Sequence, residues 1–327
     1  MFGLSRPLAL LFAGALSLTV VAPGCGGATP KVINRKDPEA KKRTRTALAE
    51  AREAARNDDF ELASKKYTRA FETSEDIEIL NEHIDVLLHG GEAALAESVA
   101  KAYTEQKPKD DRGWALLADC LLAQEKARPA LKIAEQMIRD DEENAAGHEK
   151  RGRALLLLGR APEALEALRR AVAIDGENVR SLLALGDALV KSGNVNEAAL
   201  QFRSAYKQAP EDPEVLVALA TAVREQKDWD EAEGYLKKAI SIDETMGAAH
   251  YELGILYNRK SDTPNAEAEL AKAVELNPNE ARFWYAYGEI FRLQERSEDA
   301  VNAYRKAVAL DPPHPKAAAK LSMLLIE

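Results

Sequence analysis

Seven alanines, Ala96, Ala130, Ala164, Ala198, Ala232, Ala266 and Ala300, stand 34 residues apart along a chain of 327 residues. Recurrence at a fixed spacing of about 20 to 50 residues marks a stacked-repeat architecture, in which each short unit buries its apolar face against its neighbours. The chain must therefore build a continuous stacked core. Ala, Leu, Glu, Lys and Arg dominate, and these residues lose little side-chain freedom in a helix, while only 6% of residues are aromatic. An all-α fold is the expectation, and 46% hydrophobic with 30% charged residues suits a packed chain rather than a disordered one.

Laid out in this period, the units run 77–110, 111–144, 145–178, 179–212, 213–246, 247–280 and 281–314. An earlier unit at about 44–76 is marked by Phe60, Ala63, Tyr67 and Ala70. Places are counted below from the start of each unit. One unit carries Trp284, Tyr287, Gly288, Phe291, Ala300, Tyr304, Ala307 and Pro312; a second carries Leu182, Leu185, Gly186, Leu189, Ala198, Phe202, Ala205 and Pro210; a third carries His250, Leu253, Gly254, Tyr257, Ala266, Leu270, Ala273 and Pro278. These series resemble the tetratricopeptide repeat, a pair of antiparallel helices with W-x2-L-G-x2-Y in the first and A-x3-F in the second.

The resemblance covers residues 44–327 and implies a right-handed superhelical solenoid of about eight helix pairs. A capping helix from Lys316 to Ile326 closes the last apolar face. Small residues at places 8 and 20 let the paired helices approach, large apolar groups at places 4, 7, 11 and 24 fill the surrounding space, and Pro at place 32 ends the unit. Trp114, Trp229 and Trp284 are expected to serve this packing. The first helices of units 44–76 and 77–110 read as weak, the second because Ile84 stands where a small residue is usual.

The N-terminus has another character. After Arg6, an apolar run from Leu8 to Ala22 is too short to span a bilayer comfortably and reads as the hydrophobic part of an export signal, residues 1–24. Its ending, Ala22-Pro23-Gly24-Cys25, resembles the lipobox of bacterial lipoproteins, which implies acylation of Cys25 and a lipid anchor in the membrane. Gly26 after the cysteine implies sorting to the outer membrane, facing the periplasm. Cleavage without lipid after Ala22 or Ala28, giving a soluble periplasmic or secreted protein, is the other reading. Residues 25–43 then form a flexible basic tether, with a charge of +5 over residues 26–45.

The total charge of −9 hides this asymmetry: the leader and tether are basic, which leaves −15 for the rest. A body so acidic repels nucleic acid, and no basic stripe offsets it. The five histidines show no metal-binding spacing, phosphate-loop and hydrolase motifs are missing, and Cys120 reads as a small buried hydrophobe. No catalytic residue, metal or cofactor is expected, and the chain reads as a binding scaffold rather than an enzyme.

In the resembled family, places 2, 5, 9, 12 and 13 of each first helix line a concave groove that takes other proteins. Carried over, place 9 is Asp85, Asp119, Arg153 and Asp187 in units 77–212. Units 213–314 place Arg224, Tyr251, Ile255, Asn258, Tyr285, Glu289 and Arg292 on the groove, and this Tyr/Arg-rich half is the expected partner site. The Lys/Asn carboxylate clamp of the chaperone-tail binders is not reproduced at Asn81 and Asp85 or at Glu149 and Arg153. The functional expectation is a scaffold assisting assembly of an envelope complex such as a pilus or secretion pore. The alternative is an accessory of polysaccharide or peptidoglycan handling, with a glycan enzyme or glycan in the groove.

Overall fold

The computed structural model describes residues 37–310 and 314–325. The export signal, Cys25, the tether up to residue 36 and Pro312 lie outside the described residues. Among those described, all regular structure is α-helical, and the chain divides into two compact units at Glu142/Glu143. The first holds α1 (Pro38–Arg56), α2 (Phe60–Ser74), α3 (Ile77–His89), α4 (Ala93–Gln106), α5 (Asp111–Ala123) and α6 (Ala127–Asp140). The second holds α7 (Ala145–Leu157), α8 (Ala161–Ile174), α9 (Val179–Lys191), α10 (Val195–Gln208), α11 (Pro213–Glu225) and α12 (Trp229–Ile242). It continues with α13 (Gly247–Arg259), α14 (Thr263–Leu276), α15 (Ala281–Leu293), α16 (Ser297–Ala309) and the capping helix α17 (Ala317–Leu324). Each 34-residue segment is thus one helix pair in an all-α solenoid.

Pair geometry follows from side-chain size at two places. A methyl group on Gly152, Gly186, Gly254 or Gly288, all at place 8, would lie 2.2–2.7 Å from the side chain at place 24, namely Leu168, Phe202, Leu270 or Tyr304. Only hydrogen fits beneath those side chains. In the unit where Ile84 occupies place 8, place 24 is Ala100, and both are buried. Volume is exchanged across the contact, so Ile84 does not weaken α3, which buries Ile77, Ile79, Leu80, His83, Ile84 and Leu87.

Two turns set the register. Within every pair, place 15 takes a left-handed backbone, with φ from 56° to 80° at Asp58, Gly91, Glu125, Gly159, Gly193, Lys227, Ser261 and Glu295. Between pairs, an Asp or Asn caps the next helix: Asp76, Asp110, Asn144, Asn178 and Asp212 each accept a hydrogen bond from a backbone N–H two or three residues on. The side chain at place 4 ties down the same joint, Trp114 Nε1 donating to the Pro108 carbonyl at 2.9 Å and Trp284 Nε1 to that of Pro278 at 2.7 Å. Across neighbouring pairs, Lys126–Glu97, Lys260–Glu233 and Arg296–Glu267 ion pairs repeat at 2.6–2.7 Å. Each contributes little alone, but their shared period favours one stacking register.

Several sequence expectations need correction. The tether was placed through residue 43, yet α1 begins at Pro38, with Asp37 as its cap, accepting from Glu39 N at 3.1 Å. Nor is α1 weak: it runs 19 residues and buries Ala40, Ala47, Ala51 and Ala54, a stripe of alanines that carries little hydrophobic signal in sequence. Trp229, expected to serve packing, opens α12 and is 37% exposed. The cap is shorter than expected, and Ile326 and Glu327 fall outside the described residues. Cys120 is a free, buried thiol, and burial pushes its pKa up to about 12.

Candidate functional site

The groove-place residues of the second unit form two clusters. In the first, Arg224 of α11 reaches across to Glu252 of α13 and also donates to Glu225 at 3.1 Å, which encloses most of its side chain. Tyr251, on α13, stacks on Phe283 of α15, with ring centroids 4.7 Å apart and planes 20° from parallel, and the Arg282 guanidinium lies 5.4 Å from the Tyr251 ring. Burial raises the Tyr251 phenol pKa. Ile255 packs on the cluster of Ala266, Leu270, Ala286 and Ile290.

In the second cluster, Tyr285 stacks on His314 at 3.9 Å and lies tilted against Tyr304 at 5.8 Å. Glu289 accepts hydrogen bonds from the Tyr304 hydroxyl and from Arg292 at 3.2 Å, with Lys320 of the cap 3.7 Å away. Burial is the largest single influence on the Glu289 carboxyl and pushes its pKa up, but the hydrogen bonds from Tyr304 and Arg292 and the nearby positive charges together leave it lowered. The carboxylate is therefore held ionised inside a polar contact between α15 and the cap.

Of the seven expected groove residues, five are occupied by packing between successive first helices or against the capping segment. Asn258 and Arg292 are the least enclosed by such contacts: the Asn258 side chain makes no hydrogen bond among the described residues, and the Arg292 side chain, although it donates to Glu289, is 40% exposed. The phenol rings of Tyr251 and Tyr285 act chiefly as stacking surfaces within the solenoid. Glu252, Phe283 and His314 were missed by sequence reasoning. Glu252 could have been found from its spacing, because Arg224–Glu252 repeats the 28-residue separation of the Arg169–Glu197 pair.

The first unit presents a concavity that sequence reasoning passed over. About 880 Å³ in volume, it lies along α1 and α3 and is bordered by Arg52, Arg56, Asn81, Glu82, Asp85 and His89. Arg52 grips Glu82 through two parallel hydrogen bonds, Nε at 2.6 Å and Nη2 at 2.8 Å, and the Tyr67 hydroxyl donates to the same carboxylate at 2.8 Å. The hydrogen bond from Arg52 is the main reason the Glu82 carboxyl lies below its ordinary pKa. The lining of the concavity includes groove places of two first helices, both of which read as weak in sequence, together with Phe60 and Tyr67 of α2.

Among the described residues no group of three or more His, Cys, Asp or Glu side chains could hold a metal, and no helix is long and apolar enough to cross a membrane. The second unit's clusters and the first unit's concavity each bring charged side chains together with aromatic rings.

Comparison with known proteins supports this geometry at the level of fold. No curated protein matches the chain in sequence. Among solved structures, a tetratricopeptide repeat protein from Parabacteroides merdae has 20% identity and a TM-score of 0.56, the match covering 76% of this chain and 98% of that one. PilW, a widely conserved type IV pilus biogenesis factor, has 17% identity and a TM-score of 0.56, covering 64% and 98%. The Cut9-Hcn1 hetero-tetramer of the APC/C matches with 16% identity and a TM-score of 0.68 over 90% of this chain, which spans 57% of that one. The model of the tetratricopeptide repeat matches residues 115–179, 183–249 and 251–315. With most of its length matched and every 34-residue segment folded as a helix pair, the chain belongs to the tetratricopeptide repeat family.

Proposed function

We propose that this chain is a non-catalytic protein-binding scaffold of the bacterial envelope, exported, acylated at Cys25 and anchored in the outer membrane facing the periplasm. There it assists assembly of a pilus- or secretion-pore-like complex, binding partner proteins along the first helices of its repeats. The observation that carries the reading is the joining of two features in one chain: a leader ending in Ala22-Pro23-Gly24-Cys25 and a run of helix pairs built for polypeptide recognition. The fold shared with a pilus biogenesis factor fits that role.

Two measurements test it. Labelled palmitate enters the wild-type chain and is lost in Cys25→Ser; equal labelling of both removes the anchor from the proposal. Crosslinking in intact cells followed by pull-down recovers subunits of a pore or pilus. Recovery of glycan enzymes or retained glycan instead would replace assembly with polysaccharide handling.

A further inference from the structure

A pocket of about 650 Å³ lies beside Trp114 on the first unit, away from the groove places. Its apolar wall is made by Pro108, Trp114, Pro129, Ile133 and Met137, and the Trp114 ring is held in place by its hydrogen bond to the Pro108 carbonyl. Volume and lining match the usual dimensions of a ligand pocket, apolar with a few convergent polar groups.

The rim is cationic. Lys109, Lys132 and Arg139 surround the opening, against Asp111 and Asp140, and Lys109 and Lys132 have no ion-pair partner among the described residues. The Asp140 carboxylate already accepts from Gln136 at 2.8 Å, and Gln136 in turn accepts from Arg139 at 2.8 Å. A net positive rim around an apolar pocket runs against the charge of a body carrying −15. The arrangement recurs where another tryptophan occupies place 4: a depression of about 520 Å³ beside Trp284 is lined by Phe291 and by Arg305 and Lys306 against Asp299.

We infer that the Trp114 pocket is a second docking site, separate from the groove, for a peptide segment carrying a bulky apolar side chain flanked by carboxylates. The apolar side chain enters against Trp114, Ile133 and Met137, and the flanking carboxylates meet Lys109, Lys132 and Arg139. Charge complementarity selects the occupant, since the acidic surface elsewhere repels such a segment and a basic segment would meet three cations at the rim.

The test uses the whole mature chain and three labelled peptides followed by fluorescence anisotropy: acidic with a central Leu-Phe, basic with the same Leu-Phe, and acidic with Ser-Ser in its place. The acidic Leu-Phe peptide binds saturably, and Lys132→Glu with Arg139→Glu, both exposed positions, weakens it at least about tenfold with unchanged helicity. Arg292→Ala, in the groove, leaves this binding unaltered, which separates failure of the pocket from failure of the groove reading. Equal binding of the basic or the Ser-Ser peptide, or indifference to the double charge reversal, overturns the inference.

Discussion

At the scale of single residues, the repeat is held by positions whose backbone or burial leaves one solution. Place 15 is left-handed in every pair, yet only Gly91, Gly159 and Gly193 are glycine; Glu125 and Lys227 hold φ of 56° and 68°. A side chain in that region costs about 1 to 2 kcal/mol, partly offset by the lower chain entropy of a non-glycine in the unfolded state. Glu125→Gly and Lys227→Gly are each expected to stabilise the chain by about 0.5 kcal/mol, read as a raised urea midpoint with unchanged slope; a lowered midpoint shows the turn is unstrained. His83 is constrained by burial. It stacks on Tyr67 with centroids 5.2 Å apart, its Nε2 lies 2.9 Å from Ser64 Oγ, and burial pushes its pKa down to about 4. Because the folded pKa lies below the unfolded value near 6.5, the unfolded chain takes up the proton first. The stability this neutral ring contributes is full above about pH 6.5 and falls as pH drops towards 4, by about 3 kcal/mol at the lower end. Hydrogen exchange of α2 and α3 measures it: protection should fall across that window in the wild type and much less in His83→Gln, and parallel profiles would assign the acid sensitivity to other groups.

At the scale of helices, pairing rests on the contact between places 8 and 24. Gly186→Ala places a methyl 2.2 Å from Phe202 Cε1, and overpacking of this kind costs about 1 to 3 kcal/mol. Adding Phe202→Ala to Gly186→Ala reproduces the small pairing seen at Ala118 and Ala134. The double variant is then expected to show a coupling between the two sites in a thermal-unfolding cycle, the methyl costing less once the ring is gone. Strict additivity would mean the helices separate freely at this point. This contact shows what sequence makes legible. Alanine recurs at 34-residue spacing with Ala198, and the apolar place of Phe202 and the mostly small place of Gly186 recur with it, so the number of helix pairs, their order and their small-residue contacts can be read directly. The extent of α1 could not, because its buried face is alanine and its start looks like charged tether; only the Asp37-Pro38 step signalled a helix. The stacking of Tyr251 on Phe283 was also out of reach, because a tyrosine at a groove place has the same signature whether it faces a partner or a neighbouring helix. Asn258 carried less sequence signal than the tyrosines and arginines yet is the less engaged side chain, whereas Arg292, expected as an anchor, donates to Glu289, since nothing in a linear pattern tells which polar side chains their neighbours already occupy.

At the scale of the whole molecule, the acidic body and the two groove regions make separable claims about the partner. A charge of −15 outside the basic N-terminus attracts a cationic partner surface over a distance set by salt, so association is expected to slow several-fold as ionic strength rises from about 0.05 to 0.5 M while dissociation changes less. Where that partner sits is a matter of which polar groups are accessible. Truncating Tyr251 would also break its stack with Phe283, so loss of binding in such a variant could not be told from loss of packing. Asn258 avoids that confusion in the second unit, Arg292 also donates to Glu289 at 3.2 Å so that its variant is read against the helicity control, and Arg56 with Asn81, bordering the 880 Å³ concavity, serve the same purpose in the first. Hot-spot energetics put the effect of removing a true anchor at about 2 kcal/mol or more, roughly thirtyfold in affinity. With the partner recovered by crosslinking, titration should show that loss for Asn258→Ala with Arg292→Ala and a change below about threefold for Arg56→Ala with Asn81→Ala, both variants retaining wild-type helicity. The reverse ranking would move the partner site to the concavity along α1 and α3, where Arg52 already holds Glu82 and Asn81 and His89 complete a polar border, and the Tyr/Arg-rich half would then be read as packing alone.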